Sequence, residues 1–161
     1  MKSFKDTYDN FFKWVKGTEL VELEDINVEE DPVRPELSLE WRKSYGRKIY
    51  GLKYQDTIEG IVCVALTNDT PTSVKELELM SENASLKNEY NTAVAYTVWS
   101  RKRGAGKEII HKLKEHLKQK DAINTIVTLS PLTPMATHFH IKNGAKQVHI
   151  NDETQNFEYK L

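Results

Sequence analysis

Two side chains that could do acid–base or hydrogen-bonding chemistry lie ten residues apart, at breaks between predicted elements. Ser130 stands just before a proline, where an apolar strand ends, and His140 lies in the short helix predicted to follow. Proline and Asn-Gly are typical of the ends of such elements. One strand and one helix within Thr128–Ala145 could present both side chains to a single cleft, so Ser130 and His140 form a candidate catalytic pair.

Each residue of this pair also has an ordinary interpretation. A serine before proline is a common turn residue at a strand end, and a histidine within a helix is often a packed side chain. An imidazole with an unperturbed pKa near 6.5 suits a proton donor or acceptor at cellular pH. His138 lies two residues from His140, not at the i, i+4 spacing of metal ligands on a helix, so no metal site is expected.

A glycine-containing basic loop lies between a predicted strand and a predicted helix. It has the form Arg-x-x-Gly-x-Gly, without the Gly-Lys-Ser/Thr ending of a Walker loop or the third glycine of the dinucleotide fingerprint. Glycines bring backbone N–H groups close to a ligand, and a helix N-terminus adds partial positive charge, so the loop suits a pyrophosphate. Alternatively, the glycines merely start the helix. The candidate binding residues are Arg101, Lys102, Arg103, Gly104, Ala105, Gly106 and Lys107.

This strand, loop and helix, followed by a strand and a second helix ending at a glycine, resembles the GNAT superfamily of acyl-CoA-dependent N-acetyltransferases. The resemblance covers most of the chain and implies that the backbone of residues 101–106 holds the CoA pyrophosphate, with Val98 and Trp99 beside the pantetheine. It also places His140 where many GNAT enzymes have a tyrosine that protonates the departing CoA thiolate. The link from the strand to Arg101 is shorter than in the usual GNAT pattern.

A narrower resemblance covers Leu129-Ser130-Pro131 and Phe139-His140-Ile141-Lys142-Asn143-Gly144-Ala145, which are similar to motifs in the catalytic domain of malonyl-CoA decarboxylases, itself a GNAT-type fold. That resemblance implies a catalytic serine at Ser130 and a catalytic histidine at His140. The known family is far longer, with a helical domain before this region and a long insertion between the two motifs.

The remaining pattern predicts one α/β (α+β) domain over residues 1–161, with a mixed, mostly antiparallel central sheet of about six to seven strands flanked by helices. An amphipathic helix over residues 4–15, within an N-terminal segment 1–17, is expected to pack on the domain through its aromatic face. Pro35 is expected to open a helix through Arg42, and the acidic stretch before it is expected to be a solvated loop. The strands are predicted at residues 18–23, 48–54, 58–66, 92–99, 124–129, 146–150 and 156–159.

Composition narrows the function classes. With 23 basic and 24 acidic residues the formal net charge is −1, so no global field favours nucleic acid or an anionic membrane. No apolar run is long enough for a membrane span, and the N-terminus lacks the apolar core of a secretory signal, so a cytoplasmic location is expected. The lone cysteine, Cys63, is expected to be a small core residue on a strand.

The sequence therefore predicts an enzyme acting on acetyl-CoA or another acyl-CoA as cosubstrate. The leading interpretation is an N-acyltransferase, in which a small-molecule or protein amine attacks the thioester directly. A malonyl-CoA decarboxylase-like enzyme is the first alternative, and a CoA-binding module without turnover is the second. The amine acceptor is not readable from the sequence, and a homodimer stays an open alternative.

Overall fold

The computed structural model describes residues 3–161, so Met1 and Lys2 of the predicted N-terminal segment lie outside it. The helices are α1 (Phe4–Gly17), α2 (Leu39–Lys43), α3 (Val74–Lys87), α4 (Ala105–Lys118) and α5 (Pro134–Lys142), with one 3-10 turn at Val28–Glu30. The strands are β1 (Thr18–Leu23), β2 (Lys48–Tyr54), β3 (Thr57–Thr67), β4 (Thr92–Ser100), β5 (Thr125–Thr128), β6 (Ser130–Pro131), β7 (Lys146–Ile150) and β8 (Thr154–Lys160). No helix in this part of the chain has the length and apolar character to cross a bilayer.

The strands form one sheet in the order β1-β2-β3-β4-β5-β8-β6, with β7 paired to β8. Every pairing is antiparallel except β4 with β5, which are joined through the crossover helix α4. The predicted mixed, mostly antiparallel sheet is thus confirmed. The sheet has one strand more than the seven that the sequence predicts. This additional strand is β6, and its two residues are too few to produce an alternating pattern in the sequence.

Helices cover both faces of the sheet. Helices α4 and α5 pack on one face, called here the α4 face, where Ile109 and Leu113 meet Phe157. Helices α2 and α3 and the segment 28–37 cover the other face, called here the α3 face. Cys63 is fully buried there, and burial raises the pKa of its thiol to about 11, so it is a core residue as predicted.

The N-terminal helix is present, capped by Ser3, but its predicted core packing is wrong for most of its aromatic residues. Of the side chains at positions 4, 8, 11 and 12, the exposed fractions run from 42% to 88%. Only the last turn of α1 reaches the sheet, where Trp14 is buried and its Nε1 donates a hydrogen bond to Glu59.

The helix predicted from Pro35 is also wrong at its start. Helix α2 begins at Leu39, because Ser38 accepts a hydrogen bond from the Trp41 N–H and so caps the helix there. The backbone before it is held in a turn instead, with the Leu37 N–H donating to the carbonyl of Arg34. Helix α3 is capped by Ser73, whose side chain accepts a hydrogen bond from the Glu76 N–H, and it runs to Lys87.

The acidic stretch is not wholly a solvated loop, because Asp31 is 1% exposed. Its Oδ1 accepts hydrogen bonds from the N–H groups of Val33 and Arg34 and from the hydroxyl of Thr97, at 2.8 to 3.0 Å. Its Oδ2 accepts from Arg42 Nη1 at 2.7 Å, in an ion pair with no exposed side-chain surface. The carboxylate thereby fastens segment 28–37 to β4, with both of its oxygens in use.

Replacing Asp31 with alanine should lower the free energy of unfolding by about 3 to 5 kcal/mol, because Arg42 would remain buried without its counter-charge. Urea unfolding followed by tryptophan fluorescence measures this change. Glu29→Ala, two residues earlier and exposed, is the matched control and should shift stability by no more than about 0.5 kcal/mol. Similar losses in the two variants would contradict the role given to Asp31.

Candidate active site

A gap opens in the sheet between the two parallel strands. Strands β4 and β5 pair from Thr92 with Thr125 to Ala95 with Thr128, and the Leu129 N–H still donates to the carbonyl of Ala95 at 3.3 Å. The chain then turns away, so that β6 pairs with β8. Beyond Ala95, β4 is paired only with β3 among the described strands. Residues 96–100 therefore have no described strand paired with them on the side of β5.

The loop before α4 leaves room for a ligand. Gly104 has φ +88°, a left-handed conformation that side chains rarely adopt, and a Cβ added there would meet no atom within 4 Å. No side chain caps α4. The Ala105 N–H donates to the carbonyl of Lys102, and within residues 3–161 the N–H groups of Gly106 and Lys107 have no such partner. Open space beside uncapped amides at a helix N-terminus fits a phosphate group.

The basic side chains of this loop differ in their availability. Arg101 pairs with Glu30 through Nε and Nη2, at 3.0 and 2.7 Å. Lys102 lies over the ring of Trp14, 4.7 Å from its centroid, and 3.9 Å from Glu59. Arg103 and Lys107 are exposed. The expectation that all of the loop's basic residues support an anion thus applies best to Arg103 and Lys107.

The two candidate pantetheine neighbours face opposite sides of the sheet. Val98 is partly buried on the α4 face, whereas Trp99 is buried on the α3 face with Ile61. The indole Nε1 of Trp99 is buried without a hydrogen-bond partner. Of the two side chains, Val98 is therefore the one on the face where α4 begins.

Helices α4 and α5 touch next to the two candidate regions. A Cβ added to Gly106 would lie 3.1 Å from the ring of Phe139, closer than ordinary packing allows. The glycine at this position thus permits the close approach of α5, and His140 follows Phe139 directly. Ala105 and Gly106 are both buried in this contact region, and their side of α4 faces the core.

Ser130 and His140 lie on the same face of the sheet. The Ser130 hydroxyl is 2.8 Å from that of Thr128, which accepts a hydrogen bond from the Phe157 N–H. The His140 ring stacks on Phe157, with ring centroids 5.0 Å apart. Phe157 thus stands between the two candidate residues on the α4 face, beside the point where β4 and β5 separate.

The imidazole of His140 is 5% exposed and packed, and it also keeps a polar contact. Its Nδ1 is 2.7 Å from the hydroxyl of Tyr159. Desolvation by burial lowers the pKa of His140 to about 4, so the ring is neutral at cellular pH. When Tyr159 donates to Nδ1, the proton of the neutral ring is on Nε2. His140 then acts as a hydrogen-bond donor rather than as the imidazolium acid that its ordinary pKa predicts.

Two contributors were missed by the sequence patterns. Tyr159 was recognised only as a strand residue, although the alternation along β8 places it on the same face as Phe157. Arg34 lies in the stretch predicted to be a solvated loop, yet it is buried and contacts both β4 and β5. No local signal marks Arg34, because its partners are 62 and 95 residues away. Among residues 3–161 no group of histidine, cysteine and acidic side chains could hold a metal ion.

This sheet, with two parallel strands that separate beside a glycine loop and a helix N-terminus, has the GNAT fold. Among solved structures the chain is similar to malonyl-CoA decarboxylase from Rhodopseudomonas palustris, with a TM-score of 0.68 and 17% identity over 98% of this chain and 64% of that one. It is also similar to malonyl-CoA decarboxylase from Agrobacterium vitis, with a TM-score of 0.61 and 20% identity over 84% and 39% of the two chains.

Single-domain acetyltransferases share the fold as well. An acetyltransferase from Bacillus subtilis, solved in complex with CoA, has a TM-score of 0.61 and 12% identity over 89% of this chain and 99% of that one. Comparisons with models of protein families and with curated proteins found no match. The chain spans less than two thirds of the length of these decarboxylases. Its structural neighbours thus include malonyl-CoA decarboxylases and acetyltransferases.

The low pKa of His140 should appear as a pH-dependent loss of stability. The unfolded ring takes up a proton below about pH 6.5 and the folded ring only below about pH 4, so falling pH favours the unfolded state throughout this window. Between about pH 7.5 and about pH 5 the wild type should lose about 2 kcal/mol more than His140→Gln. Urea unfolding of both proteins at the two pH values tests this. Equal losses would mean that His140 is not desolvated.

Proposed function

We propose that this chain binds a CoA thioester with its pyrophosphate at the N-terminus of α4 and its acyl group in the gap between β4 and β5. The open space at Gly104, the uncapped amides and the exposed side chains of Arg103 and Lys107 support this placement. Val98 lies along the path from the loop to the gap. The reaction that this site supports best is decarboxylation of a malonyl thioester.

The observation that carries this proposal is the neutral, tyrosine-bound His140 on the same face as Ser130. Loss of CO2 from a malonyl thioester leaves an enolate, whose oxygen carries negative charge. A neutral imidazole N–H held in a fixed orientation stabilises such an oxygen at little cost in reorganisation. A thiolate leaving group instead needs an acid, and burial makes His140 a poor one because its imidazolium form is disfavoured at pH 7.

The proposed step is balanced with water as the co-reactant. The bond between the α-carbon and the carboxylate carbon breaks, and its electron pair moves into the enolate, whose developing oxyanion accepts a hydrogen bond from the Ser130 hydroxyl. The α-carbon then takes a proton from water, and the remaining hydroxide combines with CO2. Malonyl-CoA and water thus give acetyl-CoA and bicarbonate, and His140 donates a hydrogen bond to the enolate oxygen without giving up its proton.

N-acyl transfer is the second candidate. The specific observation in its favour is size, because the Bacillus subtilis acetyltransferase is matched over 99% of its length. In that reaction a neutral small-molecule or protein amine would attack the thioester carbon in the gap, forming the amide bond as the bond to sulfur breaks. The thiolate would then take a proton derived from the amine.

Incubation of the purified protein with malonyl-CoA should yield acetyl-CoA, measured by mass spectrometry. Ser130→Ala should lower kcat by roughly 100- to 1000-fold, the scale for a group that donates a hydrogen bond to a developing oxyanion. Thr125→Val is the matched control, since it removes a buried hydroxyl from β5, the strand before Ser130, and the Oγ1 of Thr125 has no hydrogen-bond partner among the described residues. Without acetyl-CoA production by a wild type that binds CoA, the decarboxylase proposal fails, and release of free CoA from acetyl-CoA and amines becomes the assay.

Gly104→Glu should abolish calorimetrically measurable CoA binding, because it places a side chain and a negative charge in the space proposed for the pyrophosphate. Gly46→Glu is matched in charge and in backbone strain, with φ +75°, and lies before β2, away from the loop. It should retain the wild-type affinity for CoA. Unchanged CoA binding by Gly104→Glu would show that the loop assignment is wrong.

A further inference from the structure

Arg34 bridges the gap between β4 and β5. Its side chain comes from segment 28–37 on the α3 face, opposite to Ser130 and His140. Its Nε donates to the carbonyl of Tyr96 at 2.9 Å, and its Nη2 donates to the carbonyl of Leu129 at 2.8 Å. These carbonyls belong to the first residues beyond the last paired position of the two strands. The guanidinium thus borders, from the α3 face, the gap proposed for the acyl group.

The charges around Arg34 are not balanced. Three guanidinium groups are buried on the α3 face, those of Arg34, Arg42 and Arg47, with exposed fractions of 7%, 0% and 2%. Asp31 is the one buried carboxylate on this face within residues 3–161, and its ion pair is with Arg42. Arg47 instead lies over the ring of Trp41, 4.0 Å from its centroid. Burial lowers the pKa of Arg34, with Glu36 and Asp31 opposing that effect at longer range.

Arg34 also has hydrogen-bonding capacity left over. A guanidinium carries five N–H groups, and the two strand carbonyls use one edge of the plane, formed by Nε and Nη2. Nη1 makes no hydrogen bond to any residue in the described part of the chain. The outer edge, formed by Nη1 and the second N–H of Nη2, has the fork geometry that binds a carboxylate through two parallel hydrogen bonds.

A cavity lies beside Arg34 on the α3 face. Arg34 lines a cavity of about 810 Å³ between the N-terminus of α3 and the turn joining β7 to β8. The cavity wall also carries Lys75 and three acidic side chains, Glu36, Asp152 and Glu153. None of these acids forms an ion pair with Arg34. A buried cation without a counter-ion is energetically costly. The space beside Arg34 could therefore admit an anionic group that pairs with it.

We infer that Arg34 recognises the free carboxylate of a short dicarboxylic acyl group, such as malonyl, and so sets the substrate class of the site. This inference rests on the proposed binding of a CoA thioester in the gap. The thioester would then lie between Arg34 on one face and Ser130 and His140 on the other. An acyl group without a carboxylate, such as acetyl, leaves Arg34 without an ion-pair partner. An ammonium group of an amine acceptor would be repelled by the Arg34 guanidinium, and the carbonyls of Tyr96 and Leu129 already accept hydrogen bonds from Arg34.

The pairing acts on binding and not on the later steps. The carboxylate charge that Arg34 holds is lost from the substrate when CO2 departs, so the interaction is strongest in the ground state. Its removal should therefore raise KM for malonyl-CoA about 10- to 100-fold, the range for a charge-assisted hydrogen bond. The value of kcat should not fall by a comparable factor. Loss of a residue with a purely structural role would not raise KM while leaving kcat nearly unchanged.

Two unreactive thioethers of CoA test the inference by calorimetry. S-(2-carboxyethyl)-CoA has its carboxylate at the same number of bonds from sulfur as malonyl-CoA, and S-propyl-CoA is its uncharged counterpart. The wild type should bind the carboxylate about 10-fold or more tightly than the propyl compound. Arg34→Gln should bind both equally, with the affinity for S-propyl-CoA unchanged. Equal affinities in the wild type, or a preference that survives in Arg34→Gln, would overturn the role of Arg34.

Two further variants guard against a folding artefact. Arg47→Gln removes another buried arginine of the same face, which donates to the Trp41 carbonyl and to Ser81, and it should keep the carboxylate preference. Arg34→Lys keeps the positive charge and should retain part of the preference even if Arg34→Gln does not fold; its complete loss of preference in a folded protein counts against the inference. Failure of the wild type to bind either thioether would refute the CoA site itself.

Discussion

The site depends on how one buried carboxylate is used. Asp31 accepts hydrogen bonds from the backbone of its own turn, from Thr97 on β4 and from Arg42. Removing two charges from water is costly, and the cost is offset only when geometry and hydrogen bonding are both satisfied. Asp31 meets both conditions, and segment 28–37 is therefore held across the α3 face, where it directs Arg34 into the gap. The local polarity of the site thus follows from an ion pair that does not itself border the proposed ligand.

The second constraint is the separation of the parallel strands. A sheet that remained paired would satisfy its own backbone groups and leave no polar edge for a ligand. Because β5 turns toward β8 after Leu129, the backbone of β4 beyond the bulge at Tyr96 is left without a second strand. Arg34 satisfies two carbonyls of this opening from the α3 face. His140, hydrogen-bonded to Tyr159, lies on the opposite face of the sheet.

Much of the fold was predictable because its elements have local signatures. Alternating β-branched residues identified β2 and β3, and helical spacing after Gly104 identified α4. Long-range polar contacts have no such signature. Nothing distinguishes Asp31 from the exposed Glu29 and Glu30 until Arg42 and Thr97 are brought beside it by the fold. For the same reason Arg34 was hidden in an acidic loop, and the aromatic spacing of α1 predicted a buried face that the sheet does not reach.

The motif around His140 predicts where a functional side chain lies but not its protonation state. The place of His140 before Asn-Gly predicted a functional side chain, but its protonation state depends on Phe157 and Tyr159, which lie 17 and 19 residues later in the sequence. Burial lowers the pKa of His140 and keeps its imidazole neutral, and the ring donates from Nε2 when Tyr159 donates to Nδ1. That change, and not the motif, is what separates enolate stabilisation from thiolate protonation among the reactions that one scaffold could support.

Gly106 and Gly104 tolerate substitution poorly for different physical reasons. In a saturation mutagenesis experiment, a side chain at position 106 would require the ring of Phe139 on α5 to shift, because a Cβ there already lies 3.1 Å from that ring. Gly104, two residues earlier, has empty space around it and would be restricted by its backbone conformation instead. Substitution at the two glycines of one short motif is thus restricted for different physical reasons, and sensitivity at Gly106 alone is not a measure of phosphate binding.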